Sequence, residues 1–205
     1  MKNSLNFESY INFIYDHDFD ENGAFYFLGS SGKTTNFRNP HELEKIRIFS
    51  SSIGKGKPSD LVNRELVNLR TLNEPHSYFG VDLGENRFLI PSCYSLMNRA
   101  SSSHVMLCWQ IEASNDKINF EVLDTRIFLT NDVKTNNELE KERNMLKEPG
   151  CTSTWGIDPG YKDRFPQGFR YFILKQIGKN SSGAYNLAIS GFELYGKGIG
   201  KGWFL

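Results

Sequence analysis

The chain has 205 residues, 39% hydrophobic and 23% charged, which is enough for one well-cored domain and too few for two independent ones. Lys+Arg and Asp+Glu number 24 each, for a net charge of +0, so no overall field favours a polyanion, and nucleic-acid binding is disfavoured. The N-terminus lacks an apolar signal core and no apolar run approaches the ~18 residues of a membrane span, so a soluble, intracellular protein of the cytoplasm or nucleus, without membrane insertion, is expected.

Phe13, Ile14 and Tyr15 lie in a short N-terminal segment. Asp18-Phe-Asp-Glu-Asn-Gly23 predicts an Asx-rich turn leading into a buried strand at Ala24-Phe-Tyr-Phe-Leu28. Residues 45–50 are the next strand, with Ile46 and Ile48 on one face. Turn formers fill 50–59 and a polar stretch continues to Pro75, a long connection of the kind that carries binding in a compact domain. Tyr78-Phe-Gly-Val-Asp-Leu-Gly84 resumes a strand. Val105, Leu107, Trp109, Ile111 and Ala113 alternate with more polar neighbours, which marks a half-buried strand, and Asn115-Asp116-Lys117 turns it back into 118–123. Residues 136–147 are charge-dense, with Leu139, Met145 and Leu146 at spacings that predict a short surface helix ended by Pro149, a flexible loop being the alternative.

Residues 169–196 read as two apolar strands joined by a Gly/Asn/Ser connection. Tyr185, Leu187 and Ile189 alternate, but the apolar positions then jump to Phe192 and Leu194, which predicts a β-bulge near Ser190-Gly191. Many short strands separated by turn clusters favour an all-β, antiparallel sandwich or jelly roll. Its expected core includes Trp109, Ile111, Phe172, Leu174, Leu187 and Phe192.

Two motifs invite ligand readings that their spacing does not support. Gly29-Ser-Ser-Gly-Lys-Thr-Thr35 ends like a phosphate loop, but Phe27 stands where that loop needs a glycine, and Asn36-Phe-Arg-Asn-Pro40 breaks the helix that should follow. Asp18, Asp20, Asn22 and Gly23 match the first half of a calcium loop, whose closing carboxylate is replaced by Gly29. No metal or cofactor is expected. His17, His41, His76 and His104 sit in no nucleophile motif, and Cys93, Cys108 and Cys151 form no Cys-x-x-Cys pair, so reduced structural thiols and a chain that is not an enzyme are expected. Arg64, Arg70, Asn73, His76 and Tyr78 in the long connection, with Arg99 and His104 in the 97–104 loop, form the candidate ligand- or partner-binding constellation. Planar donors and aromatic faces suit sugar hydroxyls or an acidic peptide.

Several blocks carry a resemblance. Residues 78–84, Ile90-Pro-Ser-Cys-Tyr-Ser-Leu96, Trp109-Gln-Ile-Glu-Ala-Ser-Asn-Asp116, Gly178-Lys-Asn-Ser-Ser-Gly183 and Ser190-Gly-Phe-Glu-Leu-Tyr-Gly196 together resemble the discoidin, or coagulation-factor type C, family. Asp18–Gly23, Arg38-Asn-Pro40 and Glu148-Pro-Gly-Cys-Thr-Ser-Thr-Trp155 resemble the version found in ankyrin-repeat HECT-type ubiquitin ligases and in BTB-domain proteins. The chain departs from the family at Met97, where an arginine is usual, and at Phe120, where a tryptophan is usual. The resemblance implies a galactose-binding-like β-sandwich jelly roll over 18–196, with an N-terminal extension (1–17), a surface insertion near 131–148 and a C-terminal tail (197–205). It implies that the 51–77 and 97–104 loops gather at one end and contact ligands. The function implied is a non-catalytic module recognising a protein partner, as a substrate-recruiting or regulatory part of ubiquitin-ligase assemblies. The alternative is a lectin-like domain for carbohydrate or lipid headgroups, so a glycan ligand remains open.

Overall fold

A computed structural model describes residues 9–128 and 146–204. They form an antiparallel β-sandwich, as the alternating strands predict. One sheet has the order β1-β11-β5-β8, built from Tyr10–Phe13, Gly191–Ile199, Phe88–Met97 and Thr152–Gly156. The facing sheet has the order β2-β4-β9-β6-β7, built from Arg47–Ser50, Tyr78–Asp82, Tyr171–Gln176, Cys108–Ser114 and Glu121–Ile127. A two-stranded ribbon, β3 (Leu69–Arg70) with β10 (Ala188–Ile189), is hydrogen-bonded into neither sheet but buries Leu69 and Ile189 in the common core. The surface helix expected at 136–147 lies almost wholly outside the described residues.

All six residues expected in the core are buried, none more than 1% exposed. The two sheets meet at an aromatic cluster: Trp109 packs edge-on against Trp155 with ring centroids 5.2 Å apart, and Tyr94 stacks on Trp155 at 5.5 Å. A polar thread runs through it. Trp109 Nε1 donates to Tyr94 Oη at 2.9 Å, and that hydroxyl donates to Asp124 Oδ2 at 2.6 Å. A buried indole N–H without a partner would be costly, so this thread also fixes how the sheets face one another.

Residues 24–28 are not a strand. Ala24–Gly29 is an α-helix, α1, burying Ala24, Phe25 and Leu28. Periodicity cannot separate a helix from a strand in so short an apolar run, and what decides it is distant in sequence. The carboxylate of Glu193 accepts hydrogen bonds from the Phe25 and Tyr26 amides at 2.8 and 3.0 Å, satisfying first-turn donors that no local side chain reaches. Gly23 makes room for it, because a Cβ there would lie 2.1 Å from Glu193 Cδ. The Asx turn before the helix forms, with Asp20 accepting from the amides of Asp16, His17 and Asn22.

The predicted bulge near Ser190 is a change of partner. Ala188–Ile189 pairs with β3 and Gly191 onward pairs with β5, so the chain crosses between sheets at Ser190. Ser190 holds the crossing: its amide donates to Met97 O at 2.9 Å, and its hydroxyl donates to Val67 O and accepts from Val67 N. The register shift within β11 falls later, between Tyr195 and Gly196. At both ends of the chain, Tyr10–Phe13 pairs with Gly196–Ile199, and the Phe13 ring lies 5.0 Å from Trp203.

Candidate functional site

The candidate residues divide into two groups. Arg64 is committed inside the fold. Its guanidinium pairs with Glu193, whose side chain is only 1% exposed, and donates to the carbonyls of Phe19 and Asp20 at 2.7 and 3.0 Å. The same group lies over the Phe19 and Tyr26 rings at 4.6 and 4.8 Å. Burial pushes the Glu193 carboxyl upward, and Arg64 with the Phe25, Leu194 and Tyr26 amides opposes that push. This arginine therefore neutralises the carboxylate that caps α1, and Glu193 is the partner that sequence reasoning missed.

Arg70, Arg99 and His104 are brought together. The 97–104 loop is tied to the 51–77 connection by Ala100 N donating to Val67 O at 2.9 Å and by Arg99 Nε donating to Asn68 Oδ1 at 2.9 Å. A third segment, 178–187, joins them. His104 N donates to Ser182 Oγ at 3.0 Å, Val105 N donates to Ser181 Oγ at 3.0 Å, and Tyr185 N donates to Asn73 Oδ1 at 2.8 Å. Asn180 shapes that segment from within, accepting from the Ser182 and Ala184 amides and donating to Asn186 O. The signal available for it was Asn180-Ser-Ser-Gly183, a turn with exposed hydroxyls that the sequence reading treated as a plain connection.

The charge at this end is not balanced. Burial lowers the pKa of Arg99, only 7% exposed, and the nearby Arg70 lowers it further. Burial, then Arg99, then Arg70 hold His104 below its ordinary value. Neither arginine forms an ion pair among the described residues, and Arg70 Nε is buried with no hydrogen-bond partner. His76 lies nearby in sequence, exposed and with a positive φ of 60°. Tyr78 is half-buried at the start of β4, its ring edge-on to Phe49 at 6.2 Å.

Lys33 is placed where a phosphate loop could not work. Its segment follows the C-terminal end of α1, the negative end of a helix, and Lys33 Nζ donates to Asn22 Oδ1 at 2.6 Å. Burial pushes the thiols of Cys93, Cys108 and Cys151 up, the opposite of what an activated nucleophile needs.

No protein-family model matches the chain. It is 33% identical over 186 residues to the E3 ubiquitin-protein ligase hecd-1 of Caenorhabditis elegans, and 29% identical over 195 residues to the E3 ubiquitin-protein ligase Ufd4 of Drosophila melanogaster. These alignments take in 87% and 92% of this chain, which spans about 6% of the length of either relative. Among solved structures, CpGH89CBM32-5 from Clostridium perfringens, in complex with GalNAc-β-1,3-galactose, superposes with a TM-score of 0.53 at 9% identity, covering 74% of this chain and 96% of that one. The chain thus has the galactose-binding-like fold that its discoidin-like motifs implied, and it is similar in sequence to a segment of these ubiquitin ligases.

Proposed function

We propose that this galactose-binding-like domain is a non-catalytic binding module that recognises a protein partner through the end carrying Arg70, Arg99 and His104. The observation that carries the reading is the convergence of three loops, 51–77, 97–104 and 178–187, cross-linked by hydrogen bonds and holding two arginines that form no ion pair among the described residues. A rigid sandwich with polar loops at one end holds such groups without ordering cost on binding. Similarity to segments of two E3 ubiquitin-protein ligases supports a substrate-recruiting or regulatory role in a ligase assembly, inside the cell.

The glycan-binding reading has one observation of its own. The half-exposed Tyr185 ring stands in the third loop with Lys179 Nζ at 5.8 Å, a planar face of the kind that packs on a sugar. Screening the immobilised domain against a peptide-display library and a glycan array, with Arg70→Ala/Arg99→Ala as the control, separates the two. The expected result is retention of peptides by the native domain and their loss in the variant. Retention of glycans with no peptide retained would overturn the protein-partner reading.

A further inference from the structure

Arginines elsewhere in the fold show what this chain does with a part-buried guanidinium. Arg64 meets Glu193, Arg126 meets Asp124 and Arg170 meets Asp82, each through a direct ion pair, while Arg87 donates to the carbonyls of Gly202, Lys45 and Leu83. Arg70 has neither arrangement among the described residues. Its backbone is pinned on both sides, by pairing with Ala188 and by reciprocal bonds with Lys55, so the side chain cannot leave by moving the strand. Its Nε is nonetheless buried and unpartnered. Arg99 is fixed by the Asn68 contact and by its own burial. Two cations held close in a partly desolvated setting repel one another, and a buried donor without an acceptor is costly. An anion with two acceptor atoms, bound at the guanidinium nitrogens, would offset the repulsion between the two cations.

We propose, resting on the protein-partner reading above, that Arg70 and Arg99 form a receptor for a carboxylate side chain, Asp or Glu, of an acidic peptide. A carboxylate offers paired oxygens that match a guanidinium fork. An apolar neighbour also fits this end. Along 69–72 burial alternates, with Leu69 and Thr71 inside, so Leu72, 49% exposed, shares the outward side of Arg70. An acidic residue with an aliphatic residue beside it matches that pair, which a uniformly polar sugar would not. His104 reports on occupancy: burial first, then Arg99 and Arg70, hold its pKa down, and a bound anion would offset the arginines' share.

The test is an NMR titration of the whole chain with four probes: an Asp/Glu-Leu tetrapeptide, its Asn/Gln-Leu twin, inorganic sulfate and a sulfated disaccharide. The acidic peptide should saturate, raise the His104 pKa and shift the Arg70 Nε–H resonance. Its twin should bind at least about tenfold more weakly, the size of a single strong anchor. Arg70→Gln and Arg99→Gln should each erase the difference between peptide and twin. If Arg99→Gln fails to fold, the less buried Arg70→Gln decides alone. Equal binding of the two peptides, or no change at His104 and Arg70, overturns the carboxylate receptor while leaving a charge-independent protein-binding role intact. Saturation by sulfate or the sulfated sugar without the acidic peptide overturns it as well. If the domain retains no peptide in the display screen, the protein-partner reading fails first, and the two failures remain distinguishable.

Discussion

Arg64 and Arg70 sit six positions apart in one polar connection and look alike as residues, yet the fold treats them in opposite ways. Arg64 enters a pocket of two aromatic rings and closes on the buried Glu193, which in turn caps α1. Arg70 stands beside a second arginine with its Nε orphaned. A guanidinium with its own carboxylate is part of the architecture; one with no carboxylate partner among the described residues is the kind of group that the proposed carboxylate receptor requires.

That contrast breaks most sharply at Arg64. Arg64→Ala should cost on the order of 3–5 kcal/mol, because it leaves the Glu193 charge buried without its cation. Urea denaturation measures it, and a loss near zero would place Arg64 back among the binding residues. Gly23→Ala attacks the same corner from the other side, driving a methyl into Glu193, and should cost about 1–3 kcal/mol by the same assay. A Gly23 variant as stable as the native chain would show that the cap is not held tightly.

At the other corner, Arg70→Gln should leave stability unchanged or raise it by up to about 1 kcal/mol, since it removes a like-charge neighbour of Arg99 and a buried donor without an acceptor. A penalty comparable to that of Arg64→Ala would abolish the distinction between the two arginines. The pH dependence is smaller still. His104 has its folded pKa held below the ordinary 6.5, so just beneath that value the unfolded chain binds more protons than the folded one. Stability should therefore fall as pH drops below 6.5 and level off beneath the folded pKa. His104→Gln should flatten this part of the profile, and Arg99→Gln, by raising the folded pKa, should shrink it. A native profile unchanged by either substitution would mean that the imidazole does not feel the two arginines. The smallest expected effect is none at all: ATP should show no saturable binding through Lys33, by calorimetry on the native chain and Lys33→Ala.

Local patterning made the sandwich legible. Trp109 and Ile111 alternate onto one face of β6, Phe172 and Leu174 do the same on β9, and all four are buried. The same logic misread residues 24–28 because a five-residue apolar run has no period to measure, and its cap comes from Glu193, 168 positions from Phe25. It also read a bulge at Ser190, because a strand that changes sheets and a strand that gains a residue produce the same jump in apolar spacing. For the site, residue type picked out Arg70, Arg99 and His104, whose chemistry is their own. It could not separate them from Arg64, whose carboxylate is supplied by a different strand, nor find the hydroxyls of Ser181 and Ser182 in the third loop.

In the sequence alone, alternation and turn residues favoured an antiparallel β-sandwich, and the discoidin-like blocks implied the galactose-binding-like kind, because both signals are written into neighbouring positions. The tertiary structure decided which charges of the described residues are paired and which are not. Pairing between charges depends on distance in space, and a protein brings Glu193 to Arg64, and Arg99 to Arg70, only when the whole chain has folded.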